Sequence, residues 1–303
     1  MWCLAINLPL MIGGLVPDND EHWALFCDLL EIIRIIFAPA VSHNLVAYLQ
    51  VLIQGHHERF KELYPGCPII PKMHYMIHMP RAILRFGPLI RSWCMRFEAK
   101  HREFKRLAIN MGNYINLPYS LTKRHQECIC YRLQTSEGSL SSFITKGIET
   151  GPCGCNYYAG DVDYYALLSQ DNPKICNQTP ICEYKWVSVH GTKYKVGCIL
   201  QIGADEYDVP IFGKVVTIFG KVVTICMVNR NVSDVIFVLS LLHTVEFNAH
   251  YQSYEVSPVL RRQLVLFHQS HLNCFLPLNK TKPYGVKTKN SYIVPKFEIV
   301  TSN

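Results

Sequence analysis

The sequence predicts an α+β chain: a helical segment over residues 1–134, a linker over 135–181, and a β-rich part over 182–303 built around a small antiparallel barrel or sheet. Three observations carry this reading. Apolar residues recur every three or four positions in the first half and every second position after about residue 182. Between the two lies a stretch rich in Ser, Gly, Asn, Asp and Pro, centred on GPCGC, of the composition that joins folded units. The runs of the second half are separated by Gly, Asn and Asp, as in hairpins.

The first helix of the helical part with clear signals is DNDEHWALFCDLLEIIRIIF. Asp18 or Asn19 serves as its cap, acids fill its first turn, and Trp23, Phe26, Leu29, Leu30, Ile33 and Phe37 form the apolar face until Pro39 ends it. A second helix follows Ser42, with Leu45, Leu49, Leu52, Ile53 and Phe60 on one side, and PGCPIIP breaks it. KMHYMIHMPRAILRFG is a third, stopping at Gly87-Pro88, and LIRSWCM reads equally as a strand or as a lead-in to the next helix. From Arg96 the pattern is helical again, with Phe97, Phe104, Leu107, Ala108 and Met111 on one stripe.

In the second half YKWVSV, TKYKVGCIL, VIFVLSLL, TVEFNAHYQSYEV and SYIVPKFEIV read as strands. IFGKVVT occurs at 211–217 and again at once at 218–224. Strand side chains alternate, so an insertion of odd length turns each copied residue to the opposite face. One copy is therefore expected to keep the register and the other to loop or bulge out at Gly213 or Gly220.

Apolar residues make up 49% of the chain and charged ones 17%, which excludes a disordered tail or a simple charged linker. The net charge of +7 is concentrated: residues 72–124 hold eleven Arg and Lys against two Glu, or +9, and the rest is −2. Such a segment favours polyanions. Thirteen cysteines, an odd number without a repeating framework, point to free thiols in an intracellular, reducing compartment. The apolar start MWCLAINLPLMIGGLV lacks a basic leader region and is interrupted by Asn7 and Pro9, so it reads as a buried segment. No run reaches the roughly 18 apolar residues of a membrane span, and no membrane partner is expected.

The run CMRFEAKHREFKR places Glu98 at the head of a basic helix, at the border between its apolar stripe and solvent. Glu98 and His101 stand on one helical face at i, i+3, and His74 and His78 at i, i+4, spacings that together could form a four-ligand metal site; the further inward acids of such a site are missing, and His74 and His78 read as packed histidines at a helix–loop junction. Glu103 points about 140° away from Glu98 and cannot share its ligand. Cys128/Cys130 and Cys153/Cys155 are spaced too tightly for a zinc ribbon, and no phosphate-cradling loop, serine elbow or Cys/His signature is present.

LPLMIG, the block PKMHYMIHMPRAILRFGPLIRSWCMRFEAKHREFKR and NLPYSLTKRHQ resemble the C-terminal part of transposon-encoded proteins of the CACTA (En/Spm-like) type found in animal genomes, and GTKYKVGCIL with FGKV resembles their β-rich tail. The resemblance implies the end of an RNase H-like transposase core, in which Glu98 matches the last of three metal-binding carboxylates and Mg²⁺ or Mn²⁺ serves the full-length enzyme. The other two carboxylates would lie upstream of Met1, so the isolated chain is expected to be non-catalytic and to need no cofactor. It implies DNA contacts through Arg91, Arg96, Lys100, Arg102, Lys105, Arg106, Lys123 and Arg124, and a nuclear location. The reading from another class is an interaction module whose β-barrel binds a protein or chromatin partner.

Overall fold

A computed structural model describes residues 2–134, 148–151, 153–189, 191–204, 210–220, 235–258, 264–272 and 275–297, which form seven α-helices and two antiparallel sheets. The helices are α1 (Trp2–Ile12), α2 (Glu21–Ile36), α3 (His43–Leu63), α4 (Pro71–Phe86), α5 (Met95–Met111), α6 (Leu117–Gln134) and α7 (Tyr165–Asp171). None among the described residues is long and apolar enough to cross a membrane.

The helix ends follow the local chemistry. Asp20, rather than Asp18 or Asn19, caps α2, its Oδ1 accepting from the Trp23 amide at 2.7 Å. Ser42 caps α3 as expected, with the Leu45 amide 3.2 Å from its Oγ. Pro71 opens α4, where its missing N–H costs nothing, and Gly87 at φ 78° closes it. LIRSWCM resolves into a short 3₁₀ turn at Leu89–Ser92 that leads into α5.

Helix α2 is buried on two sides rather than on the expected face: of that face Trp23 and Leu30 are buried, and Phe26, Leu29, Ile33 and Phe37 are half-buried. Ile32, Ile35 and Ile36 pack with Val46, Leu49 and Ile53 of α3 and with Ile83 of α4. The stripe Trp23, Cys27, Leu30 and Arg34, spaced i, i+4, i+7 and i+11, is also buried, and three of its members reach the turn of the β-rich half at His250–Gln252. Trp23 Nε1–H donates to the His250 carbonyl at 3.1 Å, and the Arg34 guanidinium lies 5.1 Å from the Phe247 ring with Nη1 3.5 Å from the Gln252 carbonyl. The glycine pair of LPLMIGG serves the same junction: a Cβ on Gly13 would stand 3.0 Å from the Tyr251 ring, and one on Gly14 would stand 2.6 Å from Val286. A ring nitrogen of His250 meets the Gly13 carbonyl at 2.8 Å.

The strands are β1 (Ile148–Thr150), β2 (Cys153–Tyr158), β3 (Pro180–Tyr184), β4 (Trp186–Val189), β5 (Thr192–Lys195), β6 (Ile199–Ala204), β7 (Pro210–Gly220), β8 (Val235–Asn248), β9 (Ser253–Pro258), β10 (Leu264–His268), β11 (Lys280–Thr281) and β12 (Ser291–Ile293). One sheet runs β1-β4-β5. The larger runs β11-β12-β9-β8-β7-β3-β2, with β10 on β8 and β6 on β7. The barrel expected from the sequence is not closed among the described residues. The 14-residue β8 changes partner along its length, β10 over Ile236–Ser240 and β9 over Leu242–Asn248, so the ladder forks. Val235–Leu239 is buried on both faces, Phe237 and Leu239 against Tyr194, Ile236 and Val238 against Leu168, which is why this strand reads as an unbroken apolar run.

The linker expected at 135–181 is folded in its described part. β1 pairs with β4, β2 with β3, and α7 packs Leu168 under β8; residues 135–147 lie outside the described residues. Composition misled here because the glycines answer to close approach rather than freedom: a Cβ on Gly151 would stand 2.6 Å from the Trp186 indole nitrogen.

The heptapeptide repeat is reconciled differently from the expectation. β7 carries the whole first copy and Ile218–Gly220 of the second, and a bulge lies between Val215 and Thr217, not at Gly213 or Gly220. Positions 212 and 219 oppose Leu242 and Ile236 of β8, an even separation, so the bulge adds the one residue that brings the two copies into phase. Residues 221–234 lie outside the described residues. Deleting 218–224 moves Ile225-Cys226-Met227 into the places of Ile218-Phe219-Gly220 and halves the connection to β8, a change worth about 0.6 kcal/mol in closure entropy. We expect a folded protein with β3 and β7 amides still protected from hydrogen exchange; loss of that protection would show that the second copy is required.

Candidate nucleic-acid interface

α5 begins after Cys94 and ends at Gly112, whose φ of 61° supplies the left-handed cap where the chain turns. α6 then folds back against α5. Ala108 is buried and Phe104, Leu107 and Met111 are half-buried, so the stripe expected from the sequence is the packed face. Between the helices runs an apolar groove of about 330 Å³, lined among others by His101, Phe104, Ala108, Leu121 and His125, with the His125 ring edge-on to Phe104 at 5.4 Å.

Residues 95–134 hold eight Arg and Lys against three Glu. Lys100 pairs with Glu103 at 2.6 Å and Lys123 with Glu127 at 3.9 Å, both exposed and worth little in stability. Arg102 and Arg106 stand at i and i+4 opposite the packed stripe, exposed; Lys105 is exposed at the rim of the groove, and Arg124 is exposed on α6. None of these four has an acidic partner among the described residues. Arg91 is exposed on the 3₁₀ turn before α5. Arg96 lies in the first turn of α5, and its side chain lies outside the described residues.

Glu98 is in the first turn as expected, its amide donating to the Cys94 carbonyl at 3.1 Å. It is exposed rather than at the core border, and forms no ion pair with Arg102 one turn on. No three His, Cys, Asp or Glu side chains among the described residues gather to hold a metal ion. One carboxylate and the imidazole of His101 are a poor donor set for Mg²⁺, which takes oxygen ligands in octahedral array, so the residues at Glu98 do not fit a two-metal centre.

The sequence reading passed over the aromatics at the turn of the hairpin, between α5 and α6. Tyr114 and Tyr119 are 67% and 62% exposed. Their signal lay in the sequence as GNYINLPY, where bulky residues follow a helix-ending glycine with no apolar stripe to join. Exposed rings among cations suit stacking on bases or sugars as well as phosphate contact. No family model, curated protein or solved structure matches the chain.

Proposed function

We propose that the chain is a transposon-derived, non-catalytic nucleic-acid-binding protein that holds duplex DNA by its phosphates on the α5–α6 hairpin, in the nucleus. The observation that carries this reading is the set of four exposed cations, Arg102, Lys105, Arg106 and Arg124, with no acidic partner among the described residues. Unpaired cations on the two helices of one hairpin add their charges, and each phosphate contact releases counterions from the DNA. Glu98 lies within this field as a local anion. The sequence resemblance to CACTA-type proteins supports the same partner.

The test is charge reversal in two places. Arg102→Glu with Arg106→Glu should lower affinity for duplex DNA by at least about a hundredfold, since each reversal removes one phosphate contact and adds one repulsion. Lys287→Glu with Lys289→Glu makes the same change in net charge on exposed residues of the β-rich half and should change affinity by less than about threefold. Equal losses from both pairs would show that binding follows total charge and not this hairpin. Glu98→Gln should bind slightly more tightly, and metal-dependent nicking by the native chain that this variant abolishes would overturn the non-catalytic reading.

A further inference from the structure

His74 and His78 lie on α4, outside the hairpin, and nothing in the nucleic-acid reading uses them. Four residues apart on a helix, they project from the same side, one turn above the other. Both are exposed. Their rings meet at 84° with centroids 4.9 Å apart, and the two Nε2 atoms are 3.2 Å apart. A tetrahedral Zn²⁺ bound to two imidazoles at about 2.0–2.1 Å requires its nitrogens about 3.3–3.4 Å apart. The pair is therefore set to within about 0.2 Å of the bite of a chelate. In the metal-free protein one ring donates Nε2–H to the other at the point a cation would occupy. The helix holds that geometry: Met73, Pro80 and Ile83 are buried on its opposite side, and Pro71 fixes its first turn.

We propose that His74 and His78 form a chelating site for a borderline divalent cation of the Zn²⁺ class, through both Nε2 atoms, with water in the remaining positions. Imidazole selects such ions over Mg²⁺ or Ca²⁺, and exposure on the open side of α4 leaves room for the waters. The ring that carried hydrogen on Nε2 moves it to Nδ1 on binding, so no net proton is released from the neutral pair.

Zn²⁺ titrated into the full chain at pH 7.5 tests this by nitrogen-15 spectra of the histidine rings, which read each imidazole separately from the thirteen cysteines of the chain. The Nε2 signals of His74 and His78 should shift together at sub-stoichiometric metal. His74→Ala and His78→Ala should each weaken binding at the remaining ring about a hundredfold, because the second imidazole binds intramolecularly at high effective concentration. Lys72→Ala on the same helix should leave it unchanged. Signals of His74 and His78 that stay fixed at two equivalents of Zn²⁺, or that move alike in native and His78→Ala protein, would overturn the site.

Discussion

Replacing Trp23 with Ala should lower the stability of the chain by about 3–5 kcal/mol, the range for truncating a buried large aromatic. Trp23 is 9% exposed and holds α2 against the β8–β9 turn, with its ring 5.8 Å from His250 and its indole N–H on the His250 carbonyl. The loss combines a cavity between the two halves with an unpaired carbonyl at the turn. Trp23→Phe keeps most of the packing and should cost mainly the hydrogen bond, about 1 kcal/mol. Urea denaturation of both variants checks the magnitudes, and hydrogen exchange should show α2 and the β8–β9 turn losing protection together. A cost below about 1 kcal/mol for Trp23→Ala would mean that the halves are held elsewhere.

Acid should destabilise the protein through His56 and His57, adjacent buried residues of α3. Burial, with His57 and Arg59 nearby, pushes the His56 pKa down from 6.5 to about 4, and burial with Lys61 lowers that of His57. His56 Nδ1 and His57 Nε2 are buried without a hydrogen-bond partner among the described residues. Because the unfolded chain binds the proton more tightly than the folded one, the stability is fully present above the unfolded pKa. It is lost as pH falls from about 6.5 towards 4. For His56 alone the loss between pH 7 and pH 4.5 is about 2–3 kcal/mol, with His57 acting in the same direction. Denaturation of native and His56→Leu protein at the two pH values isolates the effect from the carboxylates: the native chain should fall further by that amount. Parallel losses would show that His56 is not held neutral by its surroundings.

What could be read from the sequence depended on whether the cause was local. Ser42 and the Gly87 stop set their helix ends by their own hydrogen bonds and backbone angles, and both were legible; Pro71, read only as part of a breaker, opens α4. The buried sides of α2 were not: Ile32, Ile35 and Ile36 are covered by α3 and α4, and Cys27 and Arg34 by a turn more than 200 residues away. An Arg in a helix reads as solvent-facing until Phe247 and the Gln252 carbonyl are placed beside it. The bulge at Val215 escaped for a related reason. Seven residues do fail to fit a two-residue alternation, but where the extra residue is absorbed depends on β8 and β3, which clamp Ile218–Gly220 into the ladder. At the candidate site the basic excess was visible by counting, and so was the packed stripe of α5. Which cations remain unpaired was not: Lys100 and Lys123 find acids within their own helices while Arg102, Lys105, Arg106 and Arg124 do not.

The measurement that tests the phosphate-binding hairpin most directly is the affinity of the full chain for duplex DNA as a function of salt. Four unpaired cations acting on phosphates predict a slope of log K against log salt of about −3 to −4, and so a loss of about a hundredfold between about 50 and 200 mM. Arg106→Ala should make the slope shallower by about one. A slope near zero, or one that Arg106→Ala leaves unchanged, would contradict the account.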